Sequence, residues 1–194
     1  PTVSNRLLMA ANGHMAVIDP LKIGDLAPLG PIFADENIRK VFHGADYDVR
    51  SLYRDYKIVI NNLFDTQLAS MYLGEHETSL GAVVNRRFGI ALDKRYQKKD
   101  WSRRPLPEGM IEYAASDVYH LIPLARLIMN ELAQKNRLHW VREECAYLAD
   151  VRPVESDNQP LFRRFRGAGR LAEAEAAYRQ EMAIGERLVA DFPD

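Results

Sequence analysis

Asp48, Tyr113 and Asp117 are the residues of this 194-residue chain whose types and settings suit phosphodiester chemistry. Asp48 closes the string His43-Gly44-Ala45-Asp46-Tyr47-Asp48, which leads into a predicted helix. It falls in that helix's first turn, where the helix dipole alone would stabilise a carboxylate. It also borders the apolar stripe through Val49 and Leu52, and a carboxylate at the edge of a core needs a partner. A divalent cation would serve. Tyr113-Ala114-Ala115-Ser116-Asp117 lies inside another predicted helix. Tyr113 and Asp117 share a face at i, i+4 spacing, and an ordinary surface contact is the plainest account of such a pair. The small residues between them leave room beside the carboxylate. Phosphodiester hydrolysis needs charge on the attacking and leaving oxygens, which two metal ions about 4 Å apart supply. A phenol nearby can orient the attacking water. Two carboxylates alone are too few to hold two ions well.

Between these strings runs Asp93-Lys94-Arg95-Tyr96-Gln97-Lys98-Lys99-Asp100-Trp101-Ser102-Arg103-Arg104-Pro105. Asp93 to Arg104 holds six Lys/Arg against two Asp, while the whole chain carries a net charge of −1. A basic segment on an acidic body marks a localised anion site, although a solvated surface loop has the same composition. Arg and Lys neutralise phosphates, Arg bidentately. Tyr96 and Trp101 offer flat faces to unpaired bases, and Trp101 serves equally as an anchor for the loop. The candidate substrate contacts are His43, Lys94, Gln97, Trp101, Arg103 and Arg104, with a packed, hydrogen-bonded ring as the default for His43.

The elements that must position these residues follow from local patterns. Two apolar-rich runs, 6–11 and 14–19, flank Asn12-Gly13, a strong hairpin signal. Asp25 is expected to cap a short helix reaching Ala34, made irregular by Pro28 and Pro31. Residues 40–43 predict a buried strand, and helical spacing of Val49, Leu52, Tyr53 and Tyr56 predicts a helix from about 45 to 56. Ile58-Val59-Ile60 is β-branched and predicts another strand. Asp65 caps a helix through Leu73; Ser79 caps the next, which Gly89 stops. Pro107 opens a long helix that passes Asp117 and kinks near Pro123. A last helix spans about 138–150. Strands alternating with helices after a hairpin predict an α/β domain, with a mixed sheet flanked by helices.

An apolar share of 47% with 27% charged residues describes a folded globular chain. Cys145 is the lone cysteine, so no intrachain disulfide forms, which fits the cytoplasm; it reads as a packing residue. No secretory signal and no apolar run long enough for a bilayer is found. Phosphate-binding Gly-rich loops, zinc-spaced Cys/His clusters and a Gly-x-Ser-x-Gly elbow are likewise missing from the sequence.

These strings resemble the ribonuclease D branch of the DEDD 3′–5′ exonucleases, in the subclass with tyrosine in its third motif. Residues 43–48 are similar to that family's second motif and residues 113–117 to its third. Phe64-Asp65-Thr66-Gln67 and the stretch from Leu92-Asp93-Lys94 to Arg103-Arg104-Pro105-Leu106 are also similar. The resemblance implies a ribonuclease-H-like fold over 1–150, with Asp48 and Asp117 as ligands of Mg²⁺ or Mn²⁺, two ions in the intact site. It implies that Tyr113 positions the nucleophilic water, and that nucleotides are removed singly from single-stranded RNA 3′ ends. Precursors of transfer RNA or DNA are the alternative substrates. The family's first motif is Asp-x-Glu, and no Asp-x-Glu occurs in this sequence. This chain is therefore expected to be weak or inactive by itself, with its first catalytic pair missing by truncation or by degeneracy. A linker is expected at 151–160. Phe162 to Leu171 resembles the start of a helical HRDC domain, expected as a partial, all-helical unit over 161–194. The competing function is a non-catalytic nucleic-acid-binding module on the same fold, or a DNA-directed exonuclease.

Overall fold

The hairpin predicted around Asn12-Gly13 is present in the computed structural model, which describes residues 7–11, 14–97, 99–102 and 104–153. Leu7–Ala11 (β1) and His14–Ile18 (β2) pair antiparallel, with Ala11 opposite His14 at the closed end. The two turn residues lie outside the described residues. The region expected to be one irregular helix is three pieces: Pro20–Ile23 (α1), a 3₁₀ turn at Ala27–Leu29 and Gly30–Ala34 (α2). Asp25 is not the cap: Leu26 holds that position without a side-chain bond, and Asp25 instead closes a local turn by accepting from Ala27 N at 2.8 Å. Pro28 and Pro31 each stand at the start of their own piece, where a missing N–H does no harm.

Lys40–Phe42 (β3) and Leu63–Asp65 (β4) form a parallel pair, joined by the crossover helix Asp46–Tyr56 (α3). Parallel neighbours need such a crossover. The strand expected at Ile58-Val59-Ile60 is not formed. Ile58 and Ile60 are buried, so the alternation of apolar residues is real, yet no ladder runs along them. Ile58 N instead bonds to Leu52 O at the end of α3, and Asn61 N to Phe33 O. Asn62, at φ 51°, then turns the chain into β4. The β-branched run serves as two core plugs on a connection.

Thr66–Tyr72 (α4), Leu80–Phe88 (α5), Glu108–Tyr119 (α6), Leu121–Gln134 (α7) and Leu138–Ala149 (α8) complete the order. Gly89 ends α5 in the left-handed conformation, as expected, whereas Ser79 makes no side-chain bond at the start. The long helix predicted from Pro107 is broken at His120 rather than kinked at Pro123. Pro123 sits in the first turn of α7, the one place a helix tolerates its missing N–H.

The main core gathers Val49, Leu52, Ile60, Ile128, Leu132, Val141 and Cys145 around β3 and β4. A second cluster of Trp101, Met110, Tyr113 and Ala114 packs with Val17, Tyr96 and Leu106. Among the described residues the ladders are these two separate pairs, one antiparallel and one parallel, in an α/β arrangement. The described residues belong to one unit ending at Pro153; the expected helical domain and most of the expected linker lie outside them. No helix among the described residues is long and apolar enough to cross a membrane.

Candidate functional site

Asp48 is carried by a loop that a buried carboxylate holds in place. β3 ends at Phe42, and His43-Gly44-Ala45 leads into α3. Gly44 has φ +73°, and a Cβ there would meet Gln67 Oε1 at 2.7 Å, so the turn takes no side chain. Asp65, at the end of β4, is 2% exposed. Its Oδ1 accepts bonds from Gly44 N at 3.0 Å, Gln67 N at 2.7 Å and Leu68 N at 3.2 Å. Its Oδ2 accepts one from Ala45 N at 2.7 Å. One carboxylate therefore caps α4 and anchors the loop that launches α3. Charge-assisted bonds of this kind are about twice as strong as neutral ones. Asp48 is half-buried in the first turn of α3, favourably placed for the helix dipole. Asp46, exposed beside it, pairs with Arg50 at 3.0 Å.

His43 faces the same frame. Its Nδ1 lies 2.9 Å from Thr66 Oγ1, and that hydroxyl donates to Phe42 O at 2.8 Å. With the hydroxyl proton committed, Nδ1 is the donor to Thr66 in the neutral ring. Burial pushes the imidazole below its ordinary range, against the opposing pull of Asp65. The expected default for His43, a packed and hydrogen-bonded ring, describes this setting.

The other half of the site is built on aromatic rings. Trp101 is 7% exposed, and its indole N–H donates to Tyr96 O at 3.1 Å. Its ring and that of Tyr96 each lie 6.0 Å from the ring of Tyr113. Of the two readings open for Trp101, this burial is what an anchor of the loop requires. Gly109 permits the approach, since a Cβ there would meet the Tyr96 hydroxyl at 2.7 Å. Arg104 grips Asp19 bidentately, Nε to Oδ2 at 2.5 Å and Nη2 to Oδ1 at 2.8 Å, and also donates to Trp101 O at 2.7 Å. It ties the loop to the residue after β2. The side chains lining the loop's open depression, of about 540 Å³, are Lys94, Arg95, Gln97 and Lys99. Arg95 is matched by Asp93 at 2.7 Å, which leaves Lys94 and Lys99 as the larger source of positive field. Arg103 lies outside the described residues.

Tyr113 is 9% exposed, and Asp117, one turn further along α6, is half-buried. Tyr113, Trp101, Tyr96 and Arg104 are thus brought into one cluster, with Asp117 on the same helix. Asp48 stands apart in sequence and element, at the carboxyl end of β3. Among the described residues no three or more His, Cys, Asp or Glu side chains gather as a metal cage. Asp48 and Asp117 fit a hard cation in ligand chemistry, being carboxylate oxygens, but fall short of the number two ions need. Asp65 is the residue that sequence reasoning half missed. Its capping of α4 was legible, whereas its hold on Gly44 and Ala45 depends on strand pairing.

Residues 7–133 match the profile of a family described as 3′–5′ exonuclease. The chain is 38% identical over 190 residues to a ribonuclease D of Acidiphilium cryptum, covering 91% of this chain and 48% of that protein. It is similar in structure to the catalytic core of RRP6 from Trypanosoma brucei, with a TM-score of 0.74 at 32% identity over 82% of this chain and 45% of that one. It is also similar to Escherichia coli RNase D, described as an exoribonuclease involved in structured RNA processing. There the TM-score is 0.71 at 31% identity, over 75% of this chain and 39% of that one. The chain spans about half the length of the Acidiphilium cryptum ribonuclease D.

Proposed function

The chain belongs to the 3′–5′ exonuclease family, and from that premise we propose that it is the nuclease part of a metal-dependent exoribonuclease working on RNA 3′ ends. One observation carries this reading. The two motif carboxylates, Asp48 and Asp117, are both half-buried, and Asp117 follows Tyr113 by one turn beside a basic loop. Asp48 and Asp117 would hold Mg²⁺ or Mn²⁺, which when bound stabilises charge on the reacting oxygens. Tyr113 would present its hydroxyl to the attacking water. Lys94 and Lys99 would neutralise backbone phosphates, with Gln97 as a neutral contact beside them. Arg104 and Trp101 would keep the loop in register with Tyr113. Arg103 and His43 remain candidate contacts by residue type. With no Asp-x-Glu in the sequence, cleavage by this chain alone is expected to be slow. A cytoplasmic setting, a linker at 151–160 and an HRDC-like start at 161–194 belong to the same proposal.

Single-turnover cleavage of 3′-labelled RNA with Mn²⁺ tests it. The expected result is slow, stepwise loss of nucleotides, reduced about a hundredfold or more by Asp117→Asn. RNA binding in EDTA is expected to be unchanged by that substitution. The missing Asp-x-Glu favours a second reading, a module that binds nucleic acid without cutting it. Salt-dependent RNA binding, with no cleavage above that of Asp117→Asn, would establish that reading instead. A DNA oligonucleotide of the same sequence separates the deoxy substrate from the ribose one.

A further inference from the structure

We propose that the cavity at the amino ends of β3 and β4 binds a phosphate-bearing nucleotide, at a site separate from the exonuclease residues. Asp48 and its loop follow the carboxyl end of β3, whereas Arg39 precedes the strand's first residue and Asn62 precedes that of β4. Between them opens a cavity of about 320 Å³, with Met129 of α7 and Arg142 of α8 on its wall. This volume is at the small end of ligand pockets, which run from about 300 to 1,000 Å³. It exceeds what a lone phosphate needs.

Charge on this wall is unbalanced. A guanidinium carries five N–H donors suited to phosphate or carboxylate. The partner of Arg39 among the described residues is the thioether of Met129, at 2.9 Å, a weak acceptor. Arg142 has no hydrogen-bond or ion-pair partner among the described residues. Asp150, the one carboxylate lining the cavity, is turned toward Arg152, with 3.6 Å between Oδ1 and Nη2. By contrast Arg50, Arg87 and Arg104 each face a carboxylate. Two unmatched guanidiniums on one concave wall favour an anion, and a bidentate grip favours phosphate.

The rest of the lining suits a base. Asn61 and Asn62 each donate an amide N–H to a backbone carbonyl, of Ala34 and Glu36 respectively, at 2.8 Å. Their amide oxygens are left to accept from amino or imino groups. Ile60, Leu63 and Phe64 lie buried behind this wall and keep it rigid. A free mononucleotide and a nucleotide within an RNA strand share this chemistry.

Titration calorimetry on the whole chain, in EDTA, distinguishes them. The probes are adenosine 5′-monophosphate, inorganic phosphate and a single-stranded 2′-O-methyl RNA. Binding of the mononucleotide that weakens about tenfold or more in Arg39→Gln/Arg142→Gln, and does not weaken in Lys94→Gln/Lys99→Gln, supports the site with a free nucleotide as ligand. Weakening of the RNA alone in Arg39→Gln/Arg142→Gln supports it with a strand as ligand. The Arg39→Lys/Arg142→Lys variant keeps the charge and loses the fork, and should weaken binding to a smaller degree. Near-UV circular dichroism confirms that the variants are folded. Equal binding by the native chain and both Arg39/Arg142 double variants overturns the proposal. So does inorganic phosphate binding as tightly as the mononucleotide, or no binding of any probe. Because EDTA removes the metal, these outcomes are independent of whether the chain cleaves RNA.

Discussion

Asp48 stands on a loop clamped by a buried carboxylate, whereas Tyr113 and the basic loop stand on tilted ring contacts and the Arg104–Asp19 ion pair. In the first region four backbone N–H groups converge on Asp65. Such bonds are directional, and leaving the buried Ala45 N–H without a partner is costly, so they hold the loop in one position. In the second region Trp101, Tyr96 and Tyr113 meet through apolar contact at ring separations of 6.0 Å. Packing of this sort fixes location while tolerating small shifts. On the proposed function, a carboxylate meeting a cation would be served by the rigid frame, and a loop following a flexible polyanion by the tolerant one.

The sharpest way to break the comparison is Asp65→Ala, which strands four donors, that of Ala45 buried, and is expected to lower stability by about 3 kcal/mol or more in urea unfolding. Asp65→Asn retains one acceptor and should lose less; native stability in Asp65→Asn would show that the anion is not what organises the loop. Trp101→Ala is expected to cost about 3 kcal/mol by emptying the second cluster, with α3 left intact. Protection of the α3 amides in hydrogen exchange checks that separation, and joint loss with α6 would contradict it. Asp19→Asn removes the partner of Arg104, whose side chain is 19% exposed, and should cost about 1 kcal/mol and shrink with added salt.

His43 gives a pH test of the first region. Its imidazole is held below the ordinary value by burial, so the unfolded chain takes up the proton first as pH falls. The stability it contributes is complete above the unfolded value of about 6.5 and is lost as pH drops toward the lower folded value. The urea midpoint should therefore fall between pH 7.5 and 5.5, and the fall should be smaller in His43→Asn. A parallel slope in that variant would remove His43 from the account. The smallest effect concerns Cys145, whose Sγ accepts a bond from Asp65 N and whose thiol is pushed up to about 11 by burial. At pH 8 a thiol reagent should label it only as fast as the chain unfolds. Rapid labelling of folded protein would mean that β4 and α8 separate locally.

Much of this was legible residue by residue. Asn12-Gly13 announced the hairpin, the stripe through Val49 and Leu52 announced α3, and Asp65 announced α4. Each is information within a turn or so of chain. Ile58-Val59-Ile60 misled because burial, not ladder bonding, explains its alternation. Pro123 misled because a proline marks both a kink and a helix start. The types of Asp48, Tyr113 and Asp117 and the charge of the loop were plain from the letters. What Asp65 grips 20 and 21 positions back, and that Arg104 reaches Asp19 across 85 positions, were not. Those partners are chosen by packing of the whole chain, and no local spacing encodes them. The sequence by itself determined the chemistry on offer and the local elements that carry it. Only the tertiary structure decided that Trp101 is buried against Tyr113, that Arg104 clamps Asp19 and that Asp65 is the keystone of the loop before Asp48, because burial and long-range hydrogen bonds exist only once the chain has closed on itself.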